Sequence, residues 1–251
     1  MIRIAYFNDG PLLPIKEGGA EKIVNLIRFQ NIKNRCQVVL YECSRPWTNI
    51  DELKKENFSS VLIPENIFYT EHEKLISILK EQKIQACIFT NPETLLNVGT
   101  NLKSNGFKII YDCHNVFSLL AKRMDDSESK IDYVEFLEYS VGQIADLILP
   151  CSSFDMKSLS NLGIPTEKMR IVENGVDTNK IKFQGNGLSS NNILFLGNIY
   201  YQPNLNAVER IYEYCYKSEQ LKDFTFVIAG SAPPKVIKKY QSSRFKVLGY
   251  V

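Results

Sequence analysis

Short apolar runs alternate with stretches of helical periodicity along almost the whole chain. Ile2–Phe7 is an apolar run, interrupted by Arg3, that is consistent with a buried strand. A long loop from Asn8 to Glu17, carrying Pro11 and Pro14, leads to Gly18-Gly19. Ala20, Ile23, Val24 and Ile27 then recur at helical spacing, which predicts a helix from about Gly19. Further strands are predicted at Gln37–Tyr41, Val61–Ile63, Ala86–Thr90, Lys108–Tyr111, Asp146–Leu149 and Arg170–Val172. Helices fall between them at Ile50–Glu56, around Leu75–Leu79, after Pro92, along Ile131–Ala145 and at Ser152–Leu162, the last stopped by Gly163-Ile164-Pro165. Met124–Lys130 reads as a polar, mobile segment. Strands alternating with helices over this length predict an α/β protein with a parallel sheet covered on both faces.

The pattern breaks once. Gln184–Asn192 is rich in Gly, Ser and Asn, and after it the strand–helix alternation restarts. Strands are predicted at Ile193–Leu196, Phe224–Ala229 and Phe245–Leu248, with helices opened by Pro203 and spanning Pro233–Tyr240. The expected organisation is a Rossmann-like domain over 1–183, a linker over 184–192 and a partial second domain over 193–251. A unit of about 60 residues is marginal alone. The sequence also ends directly after a strand, so we expect either a piece of a longer protein or a sheet completed by another chain at the open strand edge.

Composition narrows the function classes. The 251 residues are 44% hydrophobic and 23% charged, with a net charge of +2. That balance gives no electrostatic basis for binding nucleic acid. Six scattered cysteines without a C-x-x-C pair fit reduced thiols in a cytoplasmic protein. The two histidines, His72 and His114, have no partners at metal-ligand spacing, so no metal and no cofactor are expected. No signal peptide and no membrane span are predicted. Peripheral attachment to the inner face of the plasma membrane stays open, with Lys235, Lys238 and Lys239 as a weak basic face.

Three segments stand where a doubly wound sheet places its ligands, at the carboxyl ends of strands. Gly18 and Gly19 open the first helix, where a backbone free of side chains and unpaired N–H groups suits a phosphate. A loop end chosen for backbone freedom explains them as well. His114 follows the strand KIIY, next to Asp112 and Asn115, and its imidazole can donate to a hydroxyl or phosphate oxygen or shift protons near neutral pH. It could also simply cap a loop. Asn174-Gly175-Val176-Asp177 follows the strand Arg170–Val172, and the Asn-Gly step predicts a sharp turn with positive φ. Gly197 ends the first strand of the second unit, so both turns are expected to look into one cleft. His72, Glu135 and Glu138 read as surface residues.

EGGAE, YDCHN, ADLILPCS, IPTEKMRIVENGVD and ILFLGNIYYQPNLNAV, in this order and spacing, resemble the motif series of the family 4 glycosyltransferases. The last of them is similar to the subgroup with a P-N step after the first strand of the second domain. The resemblance implies a GT-B architecture of two Rossmann-like domains. It also implies transfer of a sugar from a nucleotide-diphosphate donor to a saccharide or lipid-linked acceptor, with retention and without metal. It assigns Gly18 and Gly19 to the donor phosphates and acceptor, His114 to the donor sugar near the reacting carbon with Asn115 beside it, Asn174, Gly175 and Asp177 to the junction turn, and Gly197, Asn198 and Asn204 to the phosphate side of the nucleotide domain. Where many members carry Arg and Lys after that glycine, this chain has Asn198, Tyr200 and Gln202. The family's E-x7-E segment would fall beyond Val251, so little activity is expected of these residues alone. Two other readings are a non-catalytic acceptor-binding or pairing module and a nucleotide-sugar epimerase.

Overall fold

A computed structural model of the protein describes residues 1–15, 18–32, 36–179, 181–182 and 190–250. Glu17 of the glycine segment and most of the expected linker, residues 184–189, lie outside the described residues. The chain divides into two compact units, Met1–Val176 and Asp177–Val251.

In the first unit, the apolar runs become β1 (Ile2–Asn8), β2 (Cys36–Cys43), β3 (Ser60–Ile63), β4 (Ala86–Phe89), β5 (Lys108–Cys113) and β6 (Leu147–Pro150). They pair in parallel in the order β3-β2-β1-β4-β5-β6. In the β1–β2 pairing Ile2 stands opposite Cys36 and Asn8 opposite Glu42. Helices cover both faces, which is why β4 is buried at all four of its positions. On one face α1 (Gly18–Ile32) sets Ile23, Val24 and Ile27, and α2 (Ile50–Lys55) sets Leu53, against Tyr6, Val38, Leu40 and Ile88. On the other lie α3 (Glu65–Tyr69), α4 (His72–Glu81), α5 (Pro92–Ser104), α7 (Glu128–Ile144) and α8 (Ser153–Asn161), over a core that includes Phe7, Phe68 and Phe89. Phe7 and Phe89 stack with ring centroids 4.6 Å apart.

Five expectations need correction. Arg170–Val172 is not a regular strand. Arg170 and Val172 donate their N–H groups to Ile148 and Pro150 of β6, but only Met169 completes a bridge, to Ile148. Met124–Lys130 is not irregular throughout. The helix α6 (Phe117–Arg123) precedes it, and Glu128–Lys130 already form the first turn of α7, leaving Met124–Ser127 as the connection. Glu138 is not a surface charge: it is 1% exposed and accepts from the Phe117 and Ser118 N–H groups and the Ser118 hydroxyl. Val116, at the start of α6, offers no side-chain cap, so the carboxylate of α7 satisfies those N–H groups from across the interface. His72 is half-buried, its ring bonded to the Tyr69 carbonyl and Asn101. Gly175 does not take positive φ, since the described glycines that do so are Gly106, Gly163, Gly230 and Gly249.

The loop between β1 and α1 is fastened from below by Glu42, at the carboxyl end of β2. This 1%-exposed carboxyl accepts the Leu12 N–H at 2.9 Å, and burial pushes it up to about 7.

The second unit holds β7 (Asn192–Leu196), α9 (Gln202–Lys217), β8 (Thr225–Ala229), α10 (Pro234–Tyr240) and β9 (Phe245–Gly249). Its parallel sheet has the order β7-β8-β9. Val208 and Cys215 of α9 pack with Phe226, Ile228, Tyr240 and Phe245 in one small core. Among the described residues no helix is long and apolar enough to cross a membrane.

Candidate functional site

In the first unit the strand order reverses between β1 and β4, and the carboxyl ends there are where a doubly wound sheet binds ligands. Alternation along β5 sends Tyr111 and Cys113 into one core and turns Asp112 to the opposite face, toward Tyr6 of β1. Asp112 is fully buried. Its Oδ2 accepts from the Tyr6 hydroxyl at 2.6 Å and lies 3.1 Å from His114 Nε2, while its Oδ1 accepts from Lys22 Nζ at 2.8 Å. Lys22 can reach it because it sits one turn into α1, directly above that face of the sheet.

Burial alone would push the Asp112 carboxyl up, yet His114 and Lys22 together hold it below its ordinary value. Hydrogen bonding to the Asp112 carboxylate calls for a proton on His114 Nε2, so the tautomer that makes this bond carries its lone pair on Nδ1. That Nδ1 points at the glycine turn: a Cβ on Gly19 would stand 3.6 Å from it, and one on Gly18 would meet open space. His114 therefore offers an acceptor beside an accessible helix N-terminus. The Tyr6 hydroxyl is driven well above its ordinary value by burial and by Asp112, so it stays a donor.

Cys151, just past β6, ties the third segment in. Its Sγ lies 3.4 Å from Lys22 Nζ, 3.4 Å from the Cys113 carbonyl and 3.8 Å from Asn174 Oδ1. The structure thus gathers Gly18, Gly19, His114 and Asn174 around one buried ion pair. Asn115 and Gly175 are exposed beside them, with the Asn115 carbonyl accepting from Cys113 Sγ. Asp177 falls in the second unit, where its Oδ1 caps the Asn179 N–H and its carbonyl accepts from Ile181. Tyr6, Lys22 and Cys151 were not singled out from the sequence. A lysine four residues past the first glycine of a helix-opening Gly-Gly pair was the available signal for Lys22.

In the second unit, Gly197 and Gly230 end β7 and β8 side by side. The Gly197 N–H bonds to the Ala229 carbonyl, and the Ile199 N–H to Ser231. A Cβ on Gly230, whose φ is +134°, would stand 2.0 Å from the Gly197 carbonyl oxygen. Asn198 and Asn204 shape this loop themselves: Asn198 Oδ1 accepts from the Tyr200 N–H, and Asn204 Nδ2 donates to the Asn198 carbonyl. Among the described residues no three His, Cys, Asp or Glu side chains converge as a metal site.

A doubly wound parallel sheet in the first unit and a three-stranded parallel sheet in the second, with glycine turns at their carboxyl ends, place the protein in the GT-B class of α/β proteins. The sequence profile of Glycosyltransferase Family 4 matches residues 18–180, more than half of the chain, and the chain belongs to that family. Among solved structures, HepE from Anabaena in complex with UDP and glucose is similar over the whole chain and 70% of its own, at 12% identity and a TM-score of 0.66. The lipopolysaccharide outer core galactosyltransferase WaaB matches over the whole chain and 68% of its own, at 15% identity and a TM-score of 0.68. Sucrose-phosphate synthase from Thermosynechococcus elongatus matches over the whole chain and 71% of its own, at 12% identity and a TM-score of 0.69. No curated protein sequence matches the chain.

Proposed function

We propose that the protein transfers a hexosyl group from a nucleotide-diphosphate sugar to a saccharide or lipid-linked acceptor, with retention at the anomeric carbon, in the assembly of a surface polysaccharide or glycan. The observation that carries this reading is the His114 ring, oriented by an ionised Asp112 against the glycine turn of α1, in a chain of a glycosyltransferase family. HepE holds UDP and glucose, which supports a nucleotide sugar as the donor here.

In this reading His114 Nδ1 accepts a hydroxyl of the donor sugar. The N-terminus of α1, open at Gly18, favours the negative charge that grows on the diphosphate as its bond to the anomeric carbon breaks. Asn115, Asn174, Gly175 and Asp177 are assigned to the donor as well, and Gly197, Asn198 and Asn204 to its phosphate side. Lys22 supplies no free charge for the diphosphate, because Asp112 already engages it. The reaction is placed in the cytoplasm, uses no resident metal, and draws its acceptor from solution or from the membrane face.

The test is product analysis by proton NMR with a panel of nucleotide sugars and simple acceptors. The expected product keeps the anomeric configuration of the donor, and His114→Ala lowers the transfer rate about 100-fold. An inverted glycoside or a free epimerised nucleotide sugar would each contradict the proposal.

A further inference from the structure

A second feature opens at the switch point itself. Asp9 directly follows β1, and Glu93 and Thr94 form the first turn of α5 after β4, so the three meet where the strand order reverses. With Asn97, with Tyr69 from α3 (Glu65–Tyr69) and with Tyr133 from α7, they line a hollow of about 390 Å³. That volume is within the range of small-molecule sites.

The chemistry of the lining is one-sided. Asp9 Oδ2 accepts from the Thr94 hydroxyl at 2.5 Å, and Glu93 Oε1 accepts from the Tyr133 hydroxyl at 3.0 Å. The second oxygen of each carboxylate takes no hydrogen bond among the described residues. The cation at this rim, Arg45, is already engaged by the Glu65 carboxylate, the Tyr69 hydroxyl and the Asp9 carbonyl. Burial pushes the Asp9 carboxyl up against the opposing pull of Thr94 and Arg45, so a donor brought to its free oxygen would be gained in a partly desolvated place. Tyr69 and Tyr133 add flat, amphipathic walls suited to the C–H face of a pyranose.

We propose that this hollow is a subsite for a neutral or amino-bearing sugar ring of the acceptor and that it rejects anionic sugars. The proposal rests on the glycosyl-transfer reading above and adds the acceptor's charge class to it. Hydroxyl or ammonium donors of the ring meet the free oxygens of Asp9 and Glu93, and the ring face lies along the tyrosines. A uronate or phosphorylated sugar brings like charge against the two carboxylates. β4 separates β1 from β5, so the hollow and His114 open on the same edge of one sheet, as donor and acceptor groups must.

The test uses saturation-transfer NMR on the whole chain at neutral pH, with methyl glucoside, methyl glucosaminide and methyl glucuronide as ring-matched probes. UDP is titrated separately. The glucoside and glucosaminide are expected to bind, and the glucuronide about tenfold more weakly or not at all. The isosteric double variant Asp9→Asn/Glu93→Gln is expected to bring the glucuronide within about twofold of the glucoside. Equal or tighter glucuronide binding to the unaltered protein overturns the proposal. So does the absence of all three sugars while UDP still binds, and that result leaves the donor reading intact. Sugar selectivity as expected with no binding of UDP or of any nucleotide sugar supports the subsite and overturns the donor reading instead. Should the double variant fail to fold, the selectivity of the unaltered protein decides the matter.

Discussion

Asp112→Asn is expected to lower the unfolding free energy of the first unit by about 3–5 kcal/mol at pH 7, the usual cost of removing one partner of a buried ion pair. The side chains of Lys22 and Asp112 are 11% and 1% exposed, so water cannot take over the role of the lost carboxylate. An asparagine can still accept from Tyr6, but it leaves the Lys22 ammonium without its counter-charge and no longer fixes the His114 tautomer. Activity should therefore fall with stability, and chemical denaturation at several pH values separates the two effects. The carboxyl of Asp112 is held below its ordinary value in the folded protein, so its contribution to stability is fully present above about pH 4. It is lost as pH falls through the lowered native value. The gap between wild type and Asp112→Asn should close over that acid range. Combining Asp112→Asn with Lys22→Met should recover most of the stability at pH 7 without recovering activity. A gap that persists unchanged into acid would show that the charge is not what matters.

Gly230→Ala is expected to cost the second unit more than about 3 kcal/mol, from overpacking and from an unfavourable backbone region together. The added Cβ would meet the carbonyl oxygen of Gly197 at 2.0 Å, and φ at +134° is a region that residues with side chains avoid. Backbone has to move to accommodate it. Gly197→Ala should be milder, because its nearest neighbour at 2.9 Å is Asn204 Nδ2, the far end of a side chain that can rotate. The unit has one small core, grouped on Phe226, Ile228, Tyr240 and Phe245, and little reserve against such a loss. Hydrogen exchange read by mass spectrometry is the measurement. In Gly230→Ala, amides of β7, β8 and β9 should lose protection while those of β1 to β6 keep it. Retained protection across Gly197 and Gly230 would contradict the close packing of the two turns.

The elements that were legible in the sequence are those whose signal is local. The run ACIF, buried throughout, and the run KIIY announced their strands, and the spacing of Ile23, Val24 and Ile27 announced α1. The short helices α3 and α6 were not legible. They have five and seven residues, and neither carries a side-chain cap of its own. The group that satisfies the start of α6 is Glu138, 21 residues further on, and its charge looked like a surface charge for that reason. The candidate site divides in the same way. Gly18, Gly19, His114 and Asn174 could be placed because each follows or precedes an element with a local signal. What assembles them could not be seen, because Lys22 and Tyr6 are 90 and 106 residues from Asp112 in sequence. Arg170–Val172 misled for a related reason: its residues have strand-like composition and two of its N–H groups reach β6, but the bridge to β6 is made by Met169, just before it.

The central claim is that His114 meets the donor sugar, and the chain has only two histidines with which to test it. His72, bonded to the Tyr69 carbonyl and Asn101 at the start of α4, serves as an internal reference. Imidazole resonances, assigned through His72→Gln, are followed by NMR as UDP-glucose and related nucleotide sugars are added at constant pH. The account predicts that the ring signals of His114 shift and saturate while those of His72 hold still. Saturating binding of a nucleotide sugar, measured in parallel by calorimetry, with the His114 ring unmoved would contradict it.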